Sequence, residues 1–138
     1  MRIIFCAFAL LSFLCTKGKG QTISAKEKEA IHALVDTAEY YSLRDPNRCL
    51  QLVDSIFHRV PEKGNESIHV AAYIFQTSSY KMLSRKPEAL QSANNAIRVA
   101  NRAQDAFLQV RANFIKASIF GEYDDQDSAL VYYQRVID

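Results

Sequence analysis

The chain has 138 residues, 49% of them hydrophobic and 23% charged, a globular composition that excludes an intrinsically disordered segment. Its formal net charge of +2 rests on a basic leader: setting aside Arg2, Lys17 and Lys19 leaves 14 of the 17 basic residues, against 15 acidic ones. A nucleic-acid-binding domain usually carries a marked basic excess, so no nucleic-acid partner is expected.

Residues 1–20 read as a removable secretory signal. Arg2 is followed by an apolar run from Ile3 to Cys15 and then by Thr16-Lys17-Gly18-Lys19-Gly20. The run is short for a bilayer span, which takes roughly 20 residues, and suits a signal core. Small residues at Gly18 and Gly20 place cleavage before Gln21, so the mature chain is expected to be exported, periplasmic or secreted. An uncleaved membrane anchor is the alternative. A lipoprotein reading at Cys15 conflicts with the bulky Leu14 before it. Cys6 and Cys15 leave with the leader, so Cys49 is the one mature cysteine and no internal disulfide can form.

Ser24 with Glu27 three residues on is a capping-box signal, and it predicts a helix from about Ser24 to Leu43. Ile31, Leu34, Val35 and Ala38 form its apolar side and Lys26, Glu27, Glu29 and Glu39 its polar side. Arg44-Asp45-Pro46 ends it, because a residue before proline is pushed out of helical geometry. Asp45 and Pro46 then start a second helix, to about Val60, with Cys49, Leu50, Val53, Ile56, Phe57 and Val60 along one stripe.

Pro61 to Glu66 break the chain before a third helix, about Ser67 to Ser84, carrying Val70, Tyr73, Ile74, Thr77 and Tyr80. Pro87 restarts helicity for a fourth, to about Ala100, with Leu90, Ala93, Ala96, Ile97 and Val99. Asn101-Arg102-Ala103 is the expected break before a fifth helix, to about Gly121. A turn from Gly121 to Gln126 follows, with Asp127 the expected cap of a sixth helix. No stretch alternates with the two-residue period of a strand. The predicted fold class is therefore all-α: antiparallel helix hairpins at about 24–60, 66–101 and 103–138.

These hairpins repeat. A small residue followed by leucine recurs every 40 residues at Cys49-Leu50, Ala89-Leu90 and Ala129-Leu130. An aromatic stands nine residues before each small residue, at Tyr40, Tyr80 and Phe120, and a small residue three earlier still, at Thr37, Thr77 and Ala117. Repeats of this length signal stacked units that cannot bury their apolar faces alone. The expected repeat core is Tyr40, Cys49, Tyr80, Ala89, Phe120 and Ala129.

On those residues the chain resembles the tetratricopeptide repeat. Tyr73, Thr77, Tyr80, Ala89, Leu90, Ala93 and Ala96 are similar to the family's pattern of bulky, small and tyrosine residues meeting small residues on a second helix. The third copy (Ala117, Phe120, Ala129, Tyr133, Val136) and the first (Ala33, Thr37, Tyr40, Cys49, Val53, Ile56) follow it. The period of 40 exceeds the usual 34, as in the longer-helix branch of the family. The leucine normally found before the small residue is Asp36, Gln76 and Lys116 here, with the apolar residues moved to Leu34/Val35, Ile74/Phe75 and Phe114/Ile115.

The resemblance implies a short right-handed superhelix of three repeats and six helices, spanning residues 21–138. It also implies a protein or peptide ligand held along the first helices of the hairpins. The implied groove contacts are Leu34, Ala38 and Tyr41, then Ile74, Ser78 and Lys81, then Arg111, Phe114 and Ser118. A second reading is the N-terminal sensory segment of a truncated membrane-anchored signalling or transcription regulator. An apolar run of about 20 residues after Asp138 would favour it. The chain stops at Asp138 with Val131, Tyr132 and Ile137 uncovered, so weak self-association through the sixth helix, or fraying of it, is expected.

Catalytic chemistry is not expected. His32, His58 and His69 are spread one to a helix and match no metal-ligand spacing. Asp124, Asp125 and Asp127 lack the glycine and distant glutamate of a calcium loop. Asn65-Glu66-Ser67 fits a glycosylation acceptor. Neither a glycine-rich phosphate loop nor a nucleophile elbow occurs. No enzyme activity, metal or cofactor is therefore anticipated.

Overall fold

The computed structural model describes residues 24–123 and 125–137, and within these the backbone is helical wherever it is regular. The leader, its cleavage point and the cysteines at 6 and 15 lie outside the described residues. The helices are α1 (Ala25–Ser42), α2 (Pro46–Arg59), α3 (Glu66–Met82), α4 (Lys86–Ala103), α5 (Ala106–Glu122) and α6 (Gln126–Ile137). Among the described residues there is no strand, so the fold is all-α.

Local chemistry accounts for the starts. Ser24 accepts a hydrogen bond from the Glu27 amide at 3.2 Å, Asp45 from the Arg48 amide at 3.0 Å and Asp105 from the Leu108 amide at 3.0 Å. Two expected boundaries move. The break between the second and third hairpins falls at Gln104-Asp105 rather than at 101–103, because Gln104 takes a left-handed φ of 54° that ends α4. The cap of α6 is Asp125, whose carboxylate accepts from the Ser128 amide at 3.2 Å, and Asp127 lies in the first turn instead.

Each helix packs on its neighbour in sequence, as the short turns between them require, and α3 also adjoins both α1 and α5. Among the described residues α2, α4 and α6 make no such contact with each other. The odd helices therefore form a continuous layer joined through α3, with α2 touching α1 and α3, and α4 touching α3 and α5. α3 sits at the centre, touching α1, α2, α4 and α5, and is buried around most of its circumference.

The core follows the small-residue positions. Cys49, Ala89 and Ala129 are all buried, which lets each hairpin's helices approach closely. Cys49, Val53 and Ile56 pack with Ala71, Ala72 and Phe75 across the first seam. Ala96, Val99 and Ala100 pack with Val70, Leu108 and Ala112, and Ala89 and Ala93 pack with Ile119. Leu130, the leucine of the third copy, is 58% exposed. Its counterpart Leu90 is partly buried against the cluster of Ala89, Ala93 and Ile119.

The first copy departs from the 40-residue period. Tyr40 is 55% exposed, not core, and Thr37 is exposed as well. The buried small residue of α1 is Ala38, equivalent to buried Thr77 and Ala117, and the aromatic against the core is Tyr41. The turns explain the offset. The Arg85 amide donates to the Tyr80 carbonyl at 2.8 Å and the Asp125 amide to the Phe120 carbonyl at 3.0 Å, each spanning five residues. The Asp45 amide reaches the Tyr41 carbonyl at 2.9 Å over four. After α3 the chain closes with a left-handed Ser84, φ 56°, in a Schellman turn, whereas the turn after α1 has no left-handed residue. The closing hydrogen bond after α1 thus spans one residue fewer, which offsets α1 by one position, about 100°.

A clasp ties the loop after α2 to α4. Glu62 accepts two hydrogen bonds from Arg98, at 3.0 and 3.2 Å, and pairs with Arg102 at 2.6 Å. The Arg98 hydrogen bonds, with Arg102 beside them, hold the Glu62 carboxyl down at about 2. Beneath it the buried His69 donates from Nε2 to the Val60 carbonyl at 2.8 Å, which fixes the tautomer, since a carbonyl can only accept.

Candidate functional site

The layer of odd helices carries the residues expected to meet a ligand, and they divide into two sets. On α3 and α5, Ile74, Arg111 and Phe114 meet Val110 and Ile115 around an open apolar cleft of about 280 Å³. Ser78 and Ser118 are half-buried on the same two helices, each with its hydroxyl turned back to a carbonyl of its own helix, Ile74 and Ile115. Lys81 lies further along, where its ammonium donates to Ser118 Oγ at 3.1 Å and pairs with Glu122 at 2.9 Å. That bridge links α3 to α5 and uses up the lysine's charge.

The α1 set fares differently. Ala38 is fully enclosed and has no surface to offer, and Leu34 and Tyr41 pack on the first core cluster. Because α1 is offset by one position, the residues in register with Ile74, Ser78 and Lys81 are Val35, Glu39 and Ser42. The apolar side Ile31, Leu34, Val35 and Ala38 already held the signal, since its continuation three residues on is Tyr41.

Sequence reasoning also missed Val110 and Ile115. Val110 is 38% exposed, Phe114 54% and Phe107 68%, so α5 shows water an apolar strip beside the cleft. Arg111 stands on the rim with its guanidinium 5.7 Å from the Phe107 ring centroid. Phe114 is held by an edge contact with Tyr133 of α6, centroids 5.9 Å apart.

The polar residues considered for chemistry do not converge. His58 lies beside Asp54 at 3.6 Å on an exposed face, His69 is buried in the clasp, and His32 borders a second cleft of about 260 Å³ with Lys28, Asn65 and Ser67. Among the described residues no group of three His, Cys, Asp or Glu side chains is placed to hold a metal ion. Cys49 is buried with its thiol toward the Phe75 carbonyl at 3.8 Å, and burial pushes its pKa up, away from the reactive thiolate. Among the described residues no helix is long and apolar enough to cross a membrane. No protein-family model matches the chain, and neither a curated protein nor a solved structure is detectably similar to it.

Proposed function

We infer that the chain is an exported binding scaffold of tetratricopeptide type, which holds a peptide or protein segment along the face made by α1, α3 and α5. The observation that carries this reading is the apolar cleft between α3 and α5, lined by Ile74, Val110, Arg111, Phe114 and Ile115. It lies on the layer where the odd helices adjoin each other, and an array whose odd helices touch while its even helices stand apart bends with the odd ones inside. A bent layer presents several helices to one ligand at once. The 40-residue spacing of the even-helix starts, Pro46, Lys86 and Gln126, supports the repeat reading.

Hydrogen exchange with a peptide selected from a random library tests it. Bound peptide is expected to protect amides of α3 and α5, and Phe114→Lys to abolish binding while leaving the melting midpoint near the parent's, since Phe114 is 54% exposed. Protection confined to α2, α4 or α6 would refute the assignment of the face.

A further inference from the structure

The cleft's size and its one cation say what kind of segment it suits. At about 280 Å³ it is smaller than the 300–1,000 Å³ typical of small-molecule sites, so it has room for one large side chain rather than a cofactor. Its lining is aliphatic and aromatic apart from Arg111. That arginine is half-buried on the rim, and among the described residues no carboxylate pairs with it. Lys81, the other cation expected on this face, is satisfied by Glu122 and Ser118. The Arg111 guanidinium lies instead 5.7 Å from the ring centroid of the exposed Phe107, near the outer reach of a cation-π contact.

We propose that the cleft recognises an extended acidic peptide segment by one large apolar anchor side chain, with an adjacent carboxylate on Arg111. The proposal rests on the peptide-binding reading above and adds the charge of the ligand to it. A planar guanidinium beside an apolar pocket matches a carboxylate next to the anchor in two ways. It gives paired charge-assisted hydrogen bonds, and it penalises a lysine at that position by repulsion. Since Arg111 pairs with no carboxylate among the described residues, a ligand carboxylate displaces no ion pair there.

Fluorescence anisotropy of the full chain with three labelled peptides tests this: Gly-Ser-Glu-Phe-Glu-Ser-Gly, the same peptide with Gln for both Glu, and the same with Lys. Expected is at least about tenfold tighter binding of the Glu peptide than of the Gln peptide at low salt, fading as salt screens the pair. Arg111→Gln removes the preference and Arg111→Glu reverses it toward the Lys peptide, with circular dichroism confirming that both variants fold. Equal binding of all three peptides overturns this inference while leaving the binding face intact; so does a preference that Arg111→Glu leaves unchanged. Binding of none overturns both. A concentration-dependent dimer abolished by Phe114→Ala, with no peptide bound, makes a second copy the occupant and also overturns the proposal.

Discussion

The one-residue offset of α1 makes a sharp prediction, because it reverses the roles of two adjacent tyrosines. In perfect register Tyr40 is the seam aromatic and Tyr41 is surface; in the structure Tyr41 packs on the cluster around Cys49 and Val53, and Tyr40 is 55% exposed. An aromatic side chain buries roughly 150–250 Å² when fully enclosed. With Tyr41 partly buried, an area of roughly 100–150 Å² at about 25 cal/mol per Å² gives about 3 kcal/mol, and a compact unfolded state lowers this to about 2–3 kcal/mol. Tyr40 has only an edge contact with Tyr41, centroids 5.2 Å apart, and the Arg44 guanidinium 4.2 Å from its own ring centroid. An exposed cation-π pair of that kind contributes about 0.5–1 kcal/mol. Urea unfolding of Tyr41→Ala and Tyr40→Ala, followed by circular dichroism, should therefore separate the two by about 2 kcal/mol with unchanged slopes. Equal losses, or a larger loss at Tyr40, would refute the offset.

Two further outcomes follow from the turns and the clasp. Ser84 holds a left-handed φ of 56° without being glycine, so Ser84→Gly should raise stability by about 0.5–1 kcal/mol, read as a higher melting midpoint; a drop would mean that the serine side chain matters there. Glu62 has its folded pKa lowered from 4.5 to about 2, so its contribution is present above pH 4.5 and is lost as pH falls toward 2. Because the side chain is 25% exposed, that contribution is about 1–2 kcal/mol after solvent screening. Glu62→Gln should show that deficit at pH 6 and converge with the parent near pH 2.5; a deficit independent of pH would show that the pair with Arg98 and Arg102 adds nothing.

What the sequence determines by itself is local. Hydrophobic spacing at 3.6 residues, the caps Ser24 and Asp45 and the prolines at 46 and 87 mark helices whose causes lie within a few residues of each other. The recurrence of Cys49, Ala89 and Ala129 marks where pairs of helices close, because only a small side chain permits that approach. Three of the residues expected on the groove, Ile74, Arg111 and Phe114, do share a cleft, since a period near 40 carries α3 into α5 without an offset.

Tertiary structure decided the rest, wherever a backbone choice at one point rotates something distant. Ser84 and Gln104 adopt left-handed conformations that neither residue type announces, and each sets a helix end that spacing alone put elsewhere or left open. The tighter closing hydrogen bond after α1 moves Tyr40 to water and Ala38 and Tyr41 to the core, so Val35, Glu39 and Ser42 stand in register with Ile74, Ser78 and Lys81, with Val35 packed on the first core cluster and Ser42 buried. The clasp of Glu62 with Arg98 joins residues 36 apart in the chain. No local period encodes such a pair, because it exists only once the seam between α2, α3 and α4 has closed.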